Sequence, residues 1–351
     1  MSDIKFLEKK FPSTVGRGKK FILPKRNFIV SHSENGAFLF NSNSLNLYHT
    51  WPSPTVIISD GAYGLLGFDG DTSDHKEISD WYEPHIIEWS KKATSKTTLW
   101  FWNSEIGWAA THNVLEKHGW KYVNLNIWNK GKGHIAGNVN TSKIKRFPVV
   151  TEVCAQYVFD YKISGLTLQE WLYSEWKRTG LRLNDANKAC GVASAATRKY
   201  LDRGHLWYSP PGHIFEKMVN YANENGKIDG KPYFSIDGNT PLSGNDWEFM
   251  KPIFNCPMGI TNVWERSTLR GKERIKIPSS EKQKSAHLNQ KPLDLMDLII
   301  QSSSNEEDIV WEPFGGLFSG SLSAINSNRK AFSAEIDPDY FSIGVQRFLS
   351  K

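Results

Sequence analysis

The chain has 351 residues, enough for one large domain, or one domain with an insertion of about a hundred residues. An apolar share of 39% is ordinary for a protein that buries a sizeable core, and a formal charge of +6 suits a polyanionic partner without establishing one. No stretch approaches the ~18 apolar residues of a membrane span, and Cys154, Cys190 and Cys256 form no CxxC pair, so neither a disulfide framework nor a zinc site is indicated. The opening Met-Ser-Asp-Ile-Lys-Phe lacks a signal peptide's apolar centre, which makes a reducing cytoplasm the default expectation. Fourteen Trp is a high count. Aromatic faces are what an unstacked base rests on, although most of these rings must serve a core or an interface.

Residues 1–30 are basic and irregular, and fit either a solvated arm or one that contacts phosphates. A short strand is predicted from Ala37. Thr55-Val-Ile-Ile-Ser is a continuous apolar run, as in a strand buried on both faces, and it ends in Asp60-Gly-Ala-Tyr63-Gly. A helix follows through about Lys92, with Trp81, His85, Ile86 and Trp89 on one face. His75 and His85 have no second ligand at metal spacing, so capping or core roles are expected. Strands are predicted at Thr97–Asn103 and Tyr122–Trp128, with a helix over Trp108–His118 between them. This β-α-β-α-β succession implies a mostly parallel sheet covered by helices. The loop from Gly131 to Lys145 is flanked by or carries Lys130, Lys132, Lys143, Lys145 and Arg146, and fits either a mobile solvated loop or one that closes over DNA. Val149–Phe159 is the returning strand, bearing Glu152.

Residues 161–255 break the alternation. Leu166–Thr179 is amphipathic. Leu183–Gly191 and Ser194–Leu201 read as two short helices joined at a glycine, which fits a helix-turn-helix or a plain αα-hairpin. In the first case the early residues of the second helix, Ser194, Ala195, Thr197 and Arg198, face base edges. Phe215–Glu224 is another helix, and Pro292–Gln301 one more. Near the C-terminus, an apolar strand ends at Glu312-Pro-Phe-Gly-Gly. A helix over Ser319–Asn326 follows, then a strand over Lys330–Ile336 that carries Glu335. Strand, glycine turn, helix, strand and carboxylate make a βαβ unit suited to holding a nucleoside, with the carboxylate placed to accept hydrogen bonds from ribose hydroxyls. The spacing matches neither Gly-x-Gly-x-x-Gly nor a phosphate-cradling NTP loop.

Glu312-Pro-Phe-Gly-Gly-Leu-Phe-Ser319 resembles the Asp-Pro-Phe-x-Gly-Ser-Gly-Thr motif of S-adenosylmethionine-dependent DNA amino-methyltransferases. His287-Leu-Asn-Gln-Lys-Pro-Leu is similar to the His-Pro-Thr-Gln-Lys-Pro-Leu segment that precedes it in that family. Asp60-Gly-Ala-Tyr63 stands in the place of the family's Asp-Pro-Pro-Tyr, with both prolines replaced. The order, catalytic turn first and cofactor motif last, resembles the permuted class whose members modify N6 of adenine or N4 of cytosine.

The resemblance implies an α/β, Rossmann-like methyltransferase with a mostly parallel twisted sheet and an inserted, largely helical DNA-recognition region. Its parts would be a basic arm (1–30), a catalytic half (31–160), a target-recognition insertion (161–255) and a cofactor-binding half (256–351). It further implies that Asp60 polarises the amine of a flipped base and Tyr63 stacks on that base. Asp60, Lys291, Glu312, Phe314, Gly316 and Glu335 would attend S-adenosylmethionine, and Lys130, Lys132, Arg146, Ser194, Thr197, Arg198 and Lys199 would contact DNA. No metal is called for. Double-stranded DNA is the implied partner, and the resemblance leaves room for a homodimer and for a cognate restriction endonuclease in a bacterial or archaeal cytoplasm. Adenine is favoured because Asp rather than Ser begins the tetrapeptide. Rival readings are a cytosine-N4 enzyme, a protein or small-molecule methyltransferase, and a DNA-binding subunit without turnover.

Overall fold

In a computed structural model the described residues are 29–32, 36–64, 77–131, 145, 147–228, 230–277, 284–287 and 289–349. From β1 (Ile29–His32) and β2 (Ala37–Asn41) the chain runs through β3 (Val56–Ser59), α1 (Ile78–Lys92), β4 (Thr98–Asn103), α2 (Glu105–Lys117), β5 (Trp120–Asn129) and β6 (Thr151–Phe159). Next come β7 (Lys162–Ile163), β8 (Leu166–Thr167), α3 (Leu168–Arg178), α4 (Asp185–Cys190), α5 (Gly212–Asn225) and α6 (Gly244–Phe249). The chain then passes through β9 (Val263–Glu265), β10 (Lys276–Ile277), β11 (Lys284–Ser285), α7 (Leu293–Ser303), β12 (Ile309–Glu312), α8 (Ser319–Asn326), β13 (Lys330–Glu335) and α9 (Pro338–Leu349). These elements form two compact units, one within 1–93, 97–158 and 253–351, the other within 94–96 and 159–252.

The first unit is built on a nine-stranded sheet in the order β1-β2-β13-β12-β3-β4-β6-β5-β9. Parallel pairs join β2, β13, β12, β3 and β4, whereas β6 lies antiparallel to β4. All residues of β3 and β4 are buried, which is why they read as unbroken apolar runs rather than alternating ones. Trp100 and Trp102 pack with Ile299 and Ile300 of α7, while Phe318 packs with Phe341 and Val345 of α9. Tyr48 stacks on Trp311 with ring centroids 5.4 Å apart, and Trp51 meets Trp311 edge-on at 5.2 Å. All fourteen Trp except Trp81, Trp108 and Trp207 are buried, so this composition reports mostly on the cores.

Strand order decides where a site forms. The chain steps from β3 to β4 in one direction and from β12 to β13 in the other. A switch point therefore opens between β3 and β12, at the carboxyl ends of both strands.

The second unit has its own core. Phe215 of α5 stacks on Trp247 of α6 at 4.5 Å, and Trp171, Trp176 and Phe234 close around them. α3 begins with a capping box in which Thr167 and Glu170 satisfy each other's backbone N–H groups. The expected second helix of a helix-turn-helix is not an α-helix. Ala196–Tyr200 is a five-residue π-helical segment after the six-residue α4. The segment is too short to project a long recognition face, and only Ala196 of it is buried, so little packing holds it to regular α geometry.

Candidate active site

β3 delivers Asp60 to the switch point, and the chain turns there through Gly61, Ala62 and Tyr63. Lys291, just before α7, places its ammonium 2.6 Å from Asp60 Oδ1 and 2.9 Å from Glu152 Oε1. The Tyr63 hydroxyl lies 2.8 Å from Asp60 Oδ1 and 2.7 Å from Glu152 Oε1. Lys130 closes the far end of this chain of charges, 2.8 Å from Glu152 Oε2 and 4.7 Å from the centre of the Trp128 ring.

A phenol has one proton to give, and two carboxylates compete for it. Burial favours the neutral form of both acids. Lys291 and Lys130 together overcome this at Glu152 and hold it down to about 2. At Asp60 burial outweighs the pull of Lys291, and neighbouring Glu152 adds to the upward shift. The two acids share one lysine, but only Glu152 has a second, which is why burial prevails at Asp60 and not at Glu152. Lys291 is itself pressed toward neutrality by burial, yet the two carboxylates raise it above its ordinary range. Tyr63 is raised well above the ordinary phenol value by burial and by both acids. The group is thus neutral-phenol, cationic-lysine and strongly acidic at Glu152.

A cavity of about 550 Å³ adjoins this cluster, and its wall includes Asp60, Tyr63, Lys291, Phe314, Gly316 and Glu335. Such a volume is in the range that holds small ligands. Glu335, at the end of β13 and 9% exposed, accepts the Gly316 N–H at 2.7 Å and the Asp337 N–H at 2.8 Å. Each oxygen retains a lone pair for a further donor such as a ribose hydroxyl. Glu312 also lines the cavity, but its carboxylate is turned to the start of α8, where it accepts the N–H groups of Gly320 and Ser321 and the Ser321 hydroxyl. It thereby caps the helix and satisfies backbone donors that would otherwise be unpaired. Burial raises Glu312 and Glu335 each to about 7. Phe314 packs on His85 at 4.9 Å and Trp81 at 5.2 Å, fixing the glycine turn against α1. Buried His85 hydrogen-bonds Tyr48 at 2.9 Å, a core role. Leu317 and Phe318, which replace small residues of the resembled motif, are buried, and Phe318 packs on Phe341 and Phe348.

The residues singled out for the catalytic turn and the cofactor side therefore meet in one cavity. Those singled out for DNA are scattered. Lys130 is engaged with Glu152. Lys132 and Arg146 lie outside the described residues, as do His75 and Lys143. Ser194, Arg198 and Lys199 are exposed in the second unit, whereas half-buried Thr197 donates to the Ser194 carbonyl and is met by Asn187. Sequence reasoning noted Glu152 on the returning strand as part of the resemblance but gave it no role, and did not single out Tyr82 or Asn103, whose side chains donate to the Ala62 carbonyl of the turn. The available signal was a polar residue closing a run of Leu, Trp and Phe, in the case of Asn103, and an acid near the start of an apolar strand, in the case of Glu152.

The sequence profile of a DNA methylase family, covering N6 and N4 methyltransferases, matches residues 55–346. The DNA adenine methyltransferase YhdJ of Escherichia coli (strain K12) is 44% identical over 61 residues, 17% of this chain and 21% of that protein. The type II methyltransferase M.HinfI of Haemophilus influenzae is 36% identical over 86 residues, 24% of this chain and 23% of its own. These alignments thus span under a quarter of either relative. A crystal structure of the M1.HpyAVI–SAM complex covers 89% of this chain and 98% of its own, at 14% identity and a TM-score of 0.48. With a profile match that runs from β3 into α9, over both Asp60–Tyr63 and Glu312–Ser319, the chain belongs to the DNA methylase family.

Proposed function

We propose that the protein transfers a methyl group from S-adenosylmethionine to the exocyclic N6 amine of an adenine flipped out of duplex DNA. The observation that carries this reading is the convergence of Asp60 and Tyr63 with Glu335 and the Phe314–Gly316 turn on one cavity. When bound, S-adenosylmethionine supplies an electrophilic methyl on a sulfonium. Glu335 is suited to its ribose, and Ile336, an apolar side chain 65% exposed at the same rim, offers cover for its adenine ring.

The rest falls to the protein's own groups. An exocyclic amine has its lone pair delocalised into the ring, and a carboxylate that draws on its N–H localises that pair for attack. Asp60 performs this task, with Lys291 orienting it and Tyr63 presenting its ring to the base. The target base leaves the duplex because its amine is out of reach within the stack. Asp at the head of the tetrapeptide and the likeness to an adenine methyltransferase support adenine over cytosine.

Duplex DNA is the proposed partner, with the second unit and its exposed Arg198 and Lys199 taking part in target recognition. A role beside a cognate restriction endonuclease, in a bacterial or archaeal cytoplasm and with or without pairing into a homodimer, accords with the likeness to a type II methyltransferase. The test is transfer of labelled methyl from S-adenosylmethionine to unmethylated genomic DNA, with Asp60→Ala alongside and nucleoside analysis of the product. Methyladenine that vanishes in the variant is the expected result. Methylcytosine keeps the mechanism and changes the base. No incorporation with DNA and cofactor still bound replaces the reading with a DNA-binding subunit.

A further inference from the structure

The turn that carries Asp60 and Tyr63 lacks both prolines of the motif it resembles, so its backbone has no internal stiffening. What holds it lies outside the turn. The Ala62 carbonyl accepts a hydrogen bond from the Tyr82 hydroxyl at 3.1 Å and another from Asn103 Nδ2 at 2.9 Å. Ala62, Tyr82 and Asn103 are all completely buried. Two donors use both lone pairs of the carbonyl and set the plane of the peptide that leads into Tyr63.

The donors are themselves held in place. Asn103 ends β4, and its Oδ1 accepts the N–H of Ser104, whose hydroxyl caps α2 by accepting the Gly107 N–H. A Cβ on Gly107 would collide with the Asn103 carboxamide, so the first turn of α2 is shaped to leave that group its space. Tyr82 does two jobs. A Cβ on Gly61 would lie 2.8 Å from its hydroxyl and 2.8 Å from Phe314 Cδ2, closer than real contacts allow. The hydroxyl that excludes any side chain at position 61 therefore also grips the carbonyl of position 62.

We propose that Tyr82 and Asn103 are positioning residues that fix the catalytic turn through the Ala62 carbonyl, replacing the stiffness that proline rings would provide. The inference rests on the methyl-transfer reading above. Neither residue touches the reacting atoms. They act by keeping Asp60 and the Tyr63 ring aimed.

The test compares Tyr82→Phe and Asn103→Ser with the native chain in methyl transfer at varied DNA and S-adenosylmethionine. Tyr157→Phe is the control, because it deletes another buried hydroxyl, one bonded to Trp108 and His112 rather than to the turn. A lost neutral hydrogen bond is worth about a tenfold change. The expected result is a fall in kcat of about tenfold in each turn variant, with KM for both substrates unchanged and the control near native. If Tyr82→Phe and Asn103→Ser keep native kcat, or if Tyr157→Phe loses as much, the clamp is wrong. An inactive native chain instead overturns the methyl-transfer reading, and the clamp with it. An active native chain with active variants overturns the clamp alone.

Discussion

Lys291 Nζ lies 2.6 Å from Asp60 Oδ1 although 231 positions separate the two residues in sequence. The lysine side chain is only 4% exposed and reaches Glu152 as well, so it pairs with two buried acids at once. Lys291→Met leaves Asp60 without its counter-charge and Glu152 with Lys130 alone. Removing one partner of a buried pair costs about 3 to 5 kcal/mol, and urea unfolding of the variant should show a loss of that size. Methyl transfer should fall at least about a hundredfold, since the group that orients the amine's acceptor is gone. A variant that unfolds like the native chain and still turns over would mean that the pair is dispensable.

Tyr63 has a ring and a hydroxyl with separable tasks. Tyr63→Phe keeps the ring but removes the bridge to Asp60 and Glu152, and a loss of about tenfold in kcat is expected. Tyr63→Ala also removes the stacking surface, worth about 1 to 3 kcal/mol for an unstacked base. It should lose a further factor of about ten to a hundred in kcat/KM for DNA. Equal activity of the two variants would deny the ring its role.

Glu335 is the proposed ribose acceptor. Glu335→Ala should raise the Kd for S-adenosylmethionine by about ten- to a hundredfold, from the loss of one or two hydrogen bonds, as read by isothermal titration calorimetry. Affinity for DNA measured without cofactor should change little. Unaltered cofactor binding would move the ribose elsewhere.

Two buried carboxylates should each give stability that is lost as pH rises. Burial raises Glu312 and Glu335 each to about 7 in the folded chain, against about 4.3 when unfolded. Between these values each of these carboxylates holds more protons in the folded state than in the unfolded one, so its contribution to stability is greatest near the low end and falls as pH rises toward about 7. The expected loss is about 1 to 3 kcal/mol for each carboxylate, measured by urea unfolding at about pH 5 and about pH 7.5. Glu335→Gln should flatten the slope. Across the same window buried His85 and His287, each held down to about 4, act in the opposite sense, so the carboxylate contribution is read from the difference between the native chain and Glu335→Gln, and identical slopes would contradict the assignment.

Local sequence determined the elements of the site. The unbroken apolar runs before Asp60 and Glu312 are strands buried on both faces, and the helical spacing after Phe318 is α8. Short-range sterics and periodicity settle such features, because neighbours along the chain supply the relevant contacts. The side-chain pairings were a matter for the tertiary structure. Strand order brings Lys291 to Asp60 and Glu152, Tyr82 and Asn103 to the Ala62 carbonyl, and most of the Trp residues into cores rather than onto a base-binding face. Whether a carboxylate such as Glu312 faces a ligand or caps a helix is likewise fixed by which buried donors lie within reach. In the second unit, the residues expected to make a recognition helix form a π-helical turn instead, since helix propensity over so few positions is too weak to hold without a packed face. The sequence alone determined where strands end and which acids stand there. The tertiary structure decided what each acid meets, because burial turns every polar group into a demand for a partner and only the folded chain supplies one.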